Sequence, residues 1–261
     1  LKHLYDVAAP LFKRDITMRY RGSVMGLAWT FLVPLLMLGV YAFVFGGVFR
    51  MRWSDDTSAP VGMLDFALVL FIGLMIHSYV SEVLTRSPTI VMGHVNLVKR
   101  VVFPLQILPV MTVSTALFQF FVSAVVFMVF QLAATGSISP GVLWLPVIVL
   151  PLTILLIGAA WVLASITVYI RDVAQIMGLI SMVLLFMSPV FYPMSRLPEH
   201  LWPVFQLNPL TFIIEQSRRA VFDNMAPDFT GLAIYTVVAT LAAALGYFIF
   251  KRLRRDFADV L

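Results

Sequence analysis

Apolar and polar positions along this chain come in blocks, with long uncharged runs separated by short charged connectors. The first long block is Met18–Phe49, MRYRGSVMGLAWTFLVPLLMLGVYAFVFGGVF. It opens on Arg19 and Arg21 around Tyr20, breaks at Gly22-Ser23, and carries no charge from Val24 to Phe49. Roughly 20 apolar residues carry a helix across a bilayer, so 24–49 is long enough to cross with tilt. A basic entrance, an interfacial Trp29 and an apolar run predict a helix that starts on the cytoplasmic face. Five more blocks predict spans at 61–81, 103–134, 142–170, 173–193 and 231–250. The expectation is an all-α polytopic membrane domain of six transmembrane helices over 1–261.

The connectors carry their own patterns. In residues 1–23, Leu4, Val7, Ala8 and Leu11 fall on one helical face, which predicts an amphipathic helix lying in the interface plane. Pro10 interrupts it, and Asp15 and Arg19 spoil the apolar face of its second half. The loop Arg50–Pro60 is short and polar. In the loop 86–100, Ser87-Pro88 reads as a helix start. There Ile90, Val91, Val95, Leu97 and Val98 lie among His94, Asn96, Lys99 and Arg100, an amphipathic pattern suited to a groove on a soluble partner. Arg171-Asp172 is a very tight turn. The half-polar stretch 194–230 contains Asn208-Pro209, a cap followed by a first-turn proline. Glu215 with Arg218 and Arg219 at i+3 and i+4 predicts pairing on an exposed helix face. Pro189 and Pro193 break the fifth span near its outer end, so 194–230 reads as short outer re-entrant helices between helices 5 and 6.

Composition settles the class. The chain is 61% hydrophobic and 12% charged, with a mean hydropathy of +0.97. Soluble domains carry about 25% charged residues, and here there is too little polar surface to cover a water-soluble fold. The net charge of +5 matters by its placement. Residues 1–29, 82–102, 171–172 and 251–261 hold 13 of the 18 Lys and Arg, which predicts both termini on the cytoplasmic side. There are no cysteines, which excludes disulfides and thiolate metal sites. The charged, amphipathic first 23 residues do not read as a cleavable signal peptide, and a start at Leu1 points to a few preceding residues.

Enzyme chemistry finds little support. His3, His77, His94 and His200 are scattered, with no metal-ligand spacing. Asp55-Asp56 sits in a loop expected to face away from the cytosol, and no Gly-rich phosphate loop is present. Ion-coupled transport needs ionisable groups deep in the spans, and Asp65, His77 and Glu82 all lie near the ends of one helix. Energy is therefore expected from a cytoplasmic partner, with no catalytic, cofactor or metal site in this chain.

The residues also resemble a known family. Arg14–Phe49 is similar to the opening of permease subunits of type-2 ABC polysaccharide exporters, which move O-antigen, capsule or teichoic-acid chains. Asn96–Pro104 (NLVKRVVFP), Tyr169–Asp172 (YIRD) and Leu207–Phe222 (LNPLTFIIEQSRRAVF) fit in the expected order. The resemblance implies a homodimer in the bacterial inner membrane, paired with two copies of a cytoplasmic ATPase that binds ATP and magnesium. It implies a lipid-linked polysaccharide, undecaprenyl-linked or similar, as cargo. Ser87, Pro88, His94, Asn96, Lys99 and Arg100 would lie in the coupling element seated on the ATPase, and Arg171 and Asp172 in a second contact. Asn208, Pro209, Glu215, Arg218 and Arg219 would belong to outer helices capping the exit.

The first and fifth spans would flank the channel. Aromatics there, Trp29, Phe31, Tyr41, Phe45, Phe186, Phe191 and Tyr192, are the candidate lining, because sugars stack their C–H faces on rings. Arg19 and Arg21 suit a lipid pyrophosphate at the entrance. Three readings compete: a drug or small-lipid exporter of the same superfamily, a membrane-embedded glycosyl- or acyltransferase, and an ion-coupled flippase.

Overall fold

A computed structural model describes residues 22–48, 63–98 and 103–260, with Pro10, Phe12, Asp15 and Thr17 of a preceding helix. Lys99, Arg100, Arg19 and Arg21 lie outside the described residues, as does the loop 50–60. Among the described residues the chain is all-helical. Its helices are α1 (Trp29–Tyr41), α2 (Met63–Arg86), α3 (Val95–Val98), α4 (Ile107–Thr135), α5 (Leu145–Tyr169), α6 (Val173–Phe186), α7 (Trp202–Gln206), α8 (Pro209–Phe222), α9 (Phe229–Leu253) and α10 (Phe257–Val260). Four stretches are long and apolar enough to cross a membrane, Phe66–Arg86, Ile107–Thr135, Pro140–Tyr169 and Phe229–Asp256. Two shorter apolar helices, Trp29–Phe45 and Val173–Phe186, accompany them.

The helix ends follow from local chemistry. Gly136 takes the left-handed conformation (φ 73°) that closes α4, and its N–H returns to the Leu132 carbonyl at 2.9 Å; a side chain at that φ would be strained. Ser139 then caps the next turn by accepting from the Gly141 N–H, with Pro140 following. Asp228 caps α9 through the Gly231 N–H at 3.0 Å. Lys251 and Arg252 sit in the last turn of α9, where they complement the helix dipole.

The second expected span runs on to Arg86, and the first and fifth are not regular α-helix throughout. The first begins as a 3₁₀ turn at Gly26–Ala28 and ends in a π-helical stretch, Ala42–Val48. The fifth, expected at 173–193, is helical only to Phe186. Its 14 residues rise about 21 Å, short of a hydrocarbon core of about 30 Å. Pro189 is the cause: it offers no N–H to continue the ladder and excludes helical geometry at the residue before it.

The core is built around α2. Phe66, Leu70, Ile72, Ile76 and Val83 are buried there against Val113, Phe120 and Phe127 of α4, Ile148 and Leu152 of α5, and Ile213 and Ile214 of α8. A smaller cluster closes one end: Ile90, Val91 and Val98 pack with Leu108, Met111, Ala164, Val168, Phe250 and Phe257. We call this the near end; it holds Arg86, the 87–98 segment, the 170–172 turn and α10. The far end holds 136–141 and 187–228.

Candidate functional site

At the near end, Arg86 closes α2 and the connecting segment begins. The Ser87 N–H still bonds to the Val83 carbonyl at 3.0 Å, so the chain runs on from α2 and Ser87 does not start a new helix. Ser87 and Pro88 are both buried, and the Ser87 hydroxyl has no hydrogen-bond partner among the described residues. A 3₁₀ turn at Met92–His94 and α3 follow. His94 Nδ1 lies 2.9 Å from the Ile90 carbonyl, so the ring is used within the segment.

The amphipathic face turns the opposite way from the expected one. Ile90, Val91 and Val98 are buried in the chain's own near-end cluster, because four helix ends there need an apolar lid. What the segment offers outward is a polar stripe, Thr85, Thr89, Gly93 and Asn96, all exposed. Arg171 and Asp172 are exposed at the same end.

Pattern reading missed a cluster beside this segment. Arg86 Nη2 donates to both carboxylate oxygens of Asp15 at 3.1 Å, and its Nη1 donates to Glu82 at 3.0 Å. The Thr115 hydroxyl of α4 donates to Asp15 at 2.9 Å. Asp15, which looked like a flaw in an apolar face, is the residue that faces the bundle. The one available signal was Glu82–Arg86 at i,i+4.

Farther along α2, His77 Nε2 meets the Ser181 carbonyl at 2.9 Å, and Ser181 Oγ donates to Ser81 at 2.7 Å. This polar seam joins α2 to α6. It uses the His77 ring as a helix-to-helix tie.

The far end is organised by the break in α6. An interrupted helix leaves carbonyls without partners, and in apolar surroundings each must be satisfied by the protein. Asn208 takes the first: its Nδ2 donates to the Met187 carbonyl at 3.0 Å and to Ser188 Oγ at 2.9 Å, while its Oδ1 accepts from the Leu210 N–H at 2.9 Å. One amide thus caps α8 and binds the end of α6. Arg218, expected on an exposed helix face with Glu215, takes the rest. It is only 8% exposed. Its guanidinium donates to the Pro189 carbonyl, to Val190 O at 2.8 Å and, across the bundle, to Val69 O of α2 at 3.2 Å. Gly73 of α2 leaves room for it: a Cβ there would stand 2.9 Å from Arg218 Nη2. Burial pulls the Arg218 guanidinium down to about 9, opposed by Glu215, so it stays charged at neutral pH. Glu215 and Arg219 remain exposed.

The candidate aromatics divide. Tyr41 and Phe45 lie 6.3 Å apart, Phe45 and Phe191 6.0 Å, and Phe191 and Phe186 6.0 Å between ring centroids. They form one chain of rings from the π-helical end of α1 to the broken end of α6. The Tyr192 hydroxyl joins it by donating to the Phe186 carbonyl at 2.5 Å, and Phe66 of α2, which the sequence did not single out, adds a ring 6.0 Å from Phe45. Trp29 and Phe31, at the start of α1, lie two or more turns from Tyr41 and take no part in this row.

Replacing Asn208 by alanine removes the cap of α8 and orphans the Met187 carbonyl. The expected loss is about 1–2 kcal/mol for the cap alone, read as a lower thermal midpoint in detergent. Asn208→Asp keeps the cap acceptor, loses the amide donor, and is expected to fall between alanine and the parent.

Comparison with known proteins identifies the family. The family model described as ABC-2 type transporter matches residues 9–222. The chain is 25% identical over 262 residues to an O-antigen export system permease protein RfbA of Klebsiella pneumoniae, covering 100% of this chain and 97% of that one. It is 27% identical over 251 residues to the protein of that name from Myxococcus xanthus, covering 95% and 93%. It is 23% identical over 236 residues to the polysialic acid transport protein KpsM of Escherichia coli, covering 87% of each. With most of the chain matched, including the α6 break and α8, this protein belongs to the ABC-2 type transporter membrane family.

Proposed function

We propose that the chain is the membrane subunit of an ATP-driven exporter that moves a lipid-linked polysaccharide across the bacterial inner membrane. The observation that carries this is similarity over most of the chain to proteins named O-antigen export system permease and polysialic acid transport protein. The row of rings at the far end supports it: Tyr41, Phe45, Phe191 and Phe186 offer faces to sugar C–H groups without charge. In this reading the six expected spans are α1 with its π-helical end, α2, α4, α5, α6 with its 187–193 turn, and α9.

The near end is the cytoplasmic one. Among the described residues most Lys and Arg lie there, and Arg218, at the far end, is occupied with backbone carbonyls. The ATPase, which carries ATP and magnesium, sits against the exposed stripe Thr85, Thr89, Gly93 and Asn96, next to Lys99 and Arg100 and the Arg171-Asp172 turn. The subunit works as a homodimer: α1 and α6 expose large apolar side chains, including Leu36, Val40, Leu179 and Met182, and two copies facing each other across these helices would enclose a path. Arg19 and Arg21 meet the lipid pyrophosphate at the entrance. Asn208, Pro209, Glu215, Arg218 and Arg219 belong to the outer cap.

A Gly93→Trp substitution tests the docking face. Open space surrounds a Cβ at Gly93, so the fold should tolerate the ring while the ATPase cannot approach; co-purified ATPase is expected to drop at least tenfold with the permease level unchanged. The substrate is tested in vesicles holding the purified complex. Lipid-linked polysaccharide is expected to stimulate ATP hydrolysis and to appear on the opposite side. Stimulation by amphipathic drugs with none by the glycan would overturn the assignment.

A further inference from the structure

The helix that precedes α1 is tied to the bundle by two residues on one face, three positions apart. The Phe12 ring meets Phe118 of α4 edge-on at 6.4 Å. Asp15 receives Arg86 Nη2 in both carboxylate oxygens, and the Thr115 hydroxyl as well. The cluster is partly withdrawn from water, with Arg86 31%, Asp15 17% and Glu82 15% exposed.

Arg86 already has a carboxylate within its own helix, Glu82 at i−4. Asp15 is therefore a second carboxylate on the same guanidinium. Such a pair contributes little net stability once desolvation is counted, and the best-attested use of a withdrawn ion pair is to fix register between elements. The elements joined here are specific. Arg86 is the last residue of α2, and the next residue opens the segment that carries the exposed Thr89–Asn96 stripe. Asp15 lies on the helix that leads through the Gly22–Met25 turn into α1. The planar guanidinium, gripped from both sides by Asp15 and Glu82, is the part least free to slide.

We propose that Asp15 is a positioning residue for energy transfer: its ion pair with Arg86, in which Nη2 reaches both carboxylate oxygens, locks the N-terminal helix to the root of the coupling segment, so that α1 moves with that segment. This rests on the reading that the stripe faces the ATPase. Ile90, Val91 and Val98 still hold the segment in the near-end cluster when the pair is broken, so the ATPase still docks. The push then reaches α2 without being passed to α1, and hydrolysis runs without transport.

The test uses the complete permease–ATPase complex in vesicles with lipid-linked polysaccharide, measuring glycan exported per ATP hydrolysed. Asp15→Asn is expected to keep the ATPase at the parental ratio and to lower export per ATP at least tenfold, with Asp15→Glu recovering half or more. Arg86→Gln is expected to give a similar loss, and the double variant to be no worse than the poorer single. Parental export per ATP in Asp15→Asn would overturn the proposal. So would losses that multiply in the double variant, or a fall in export matched by an equal fall in folded complex. A parental complex with no ATP-dependent export would overturn the exporter reading beneath it, a result distinct from all of these.

Discussion

Arg218→Met is expected to prevent accumulation of folded protein. Methionine fills much of the same volume but donates nothing. Pro189 O and Val190 O, outside any helix, lose the group that now serves them, and Val69 O loses a second donor beside its helical one. Each buried, unsatisfied carbonyl costs about 1–3 kcal/mol, so the loss is comparable with the 3–5 kcal/mol typical of breaking a buried charged contact. Total stabilities of roughly 5–15 kcal/mol leave little after such a change. Arg218→Lys separates charge from geometry. A lysine keeps the positive charge but cannot reach two helices at once with a fork of donors, and it is expected to fold poorly as well. The check is the monodisperse fraction in mild detergent by fluorescence-detected size exclusion, with Arg219→Met, an exposed neighbour on the same helix, eluting as the parent does.

Gly158→Leu is expected to have an effect of similar size at a different place. Gly158 of α5 and Gly246 of α9 bring two backbones into contact. A Cβ on Gly158 would lie 2.6 Å from Ala243 Cα, and one on Gly246 would lie 2.4 Å from the Gly158 carbonyl oxygen. Ala160, Ala239 and Ala243 are buried along this stretch of the two helices. Between helices in lipid there is no hydrophobic gain from association, and close approach over small residues supplies the attraction. A leucine at 158 has only backbone to meet, so the helices must separate by more than a side chain can absorb. Overpacking costs about 1–3 kcal/mol where side chains can yield, and here none can. The expected result is a lower thermal midpoint and a protease-sensitive α9. Leu241→Ala and Leu245→Ala, both exposed on the outer side of α9, leave the midpoint close to the parental value.

These two residues also mark what could be read from the chain alone. The apolar blocks located the helices because length and hydropathy are local properties. Asn208-Pro209 announced the start of α8 for the same reason. Arg218 was misplaced because Glu215 three residues earlier offers a plausible solvent-side partner. Its actual partners are backbone carbonyls of residues 69, 189 and 190, which carry no signature of their own. Pro189 signalled a break in the fifth span, but not that the cap residue of α8 and an arginine within it would repair it. Asp15 was legible only as an exception to a pattern, since Arg86 lies 71 residues away. The 87–98 segment shows the other limit: its periodicity established an apolar face but not which surface that face meets.

The far-end network gives the exporter reading a mechanical content. Asn208 and Arg218 bind the end of α6 at the two ends of α8, and Arg218 also holds α2. A movement of α6 would therefore carry α8 with it. At the near end, the proposed docking stripe and the Asp15–Arg86 pair lie side by side. The two ends are joined by α2, whose His77 and Ser81 meet Ser181 of α6 along the way.

The most direct measurement is a mild-detergent purification of the tagged chain from its native membranes, with co-purifying proteins identified by mass spectrometry. The account predicts a stoichiometric soluble ATPase, lost when Lys99 and Arg100 are reversed in charge. A chain that purifies alone, from cells whose polysaccharide still reaches the surface when ATP hydrolysis by any such partner is blocked, would contradict it.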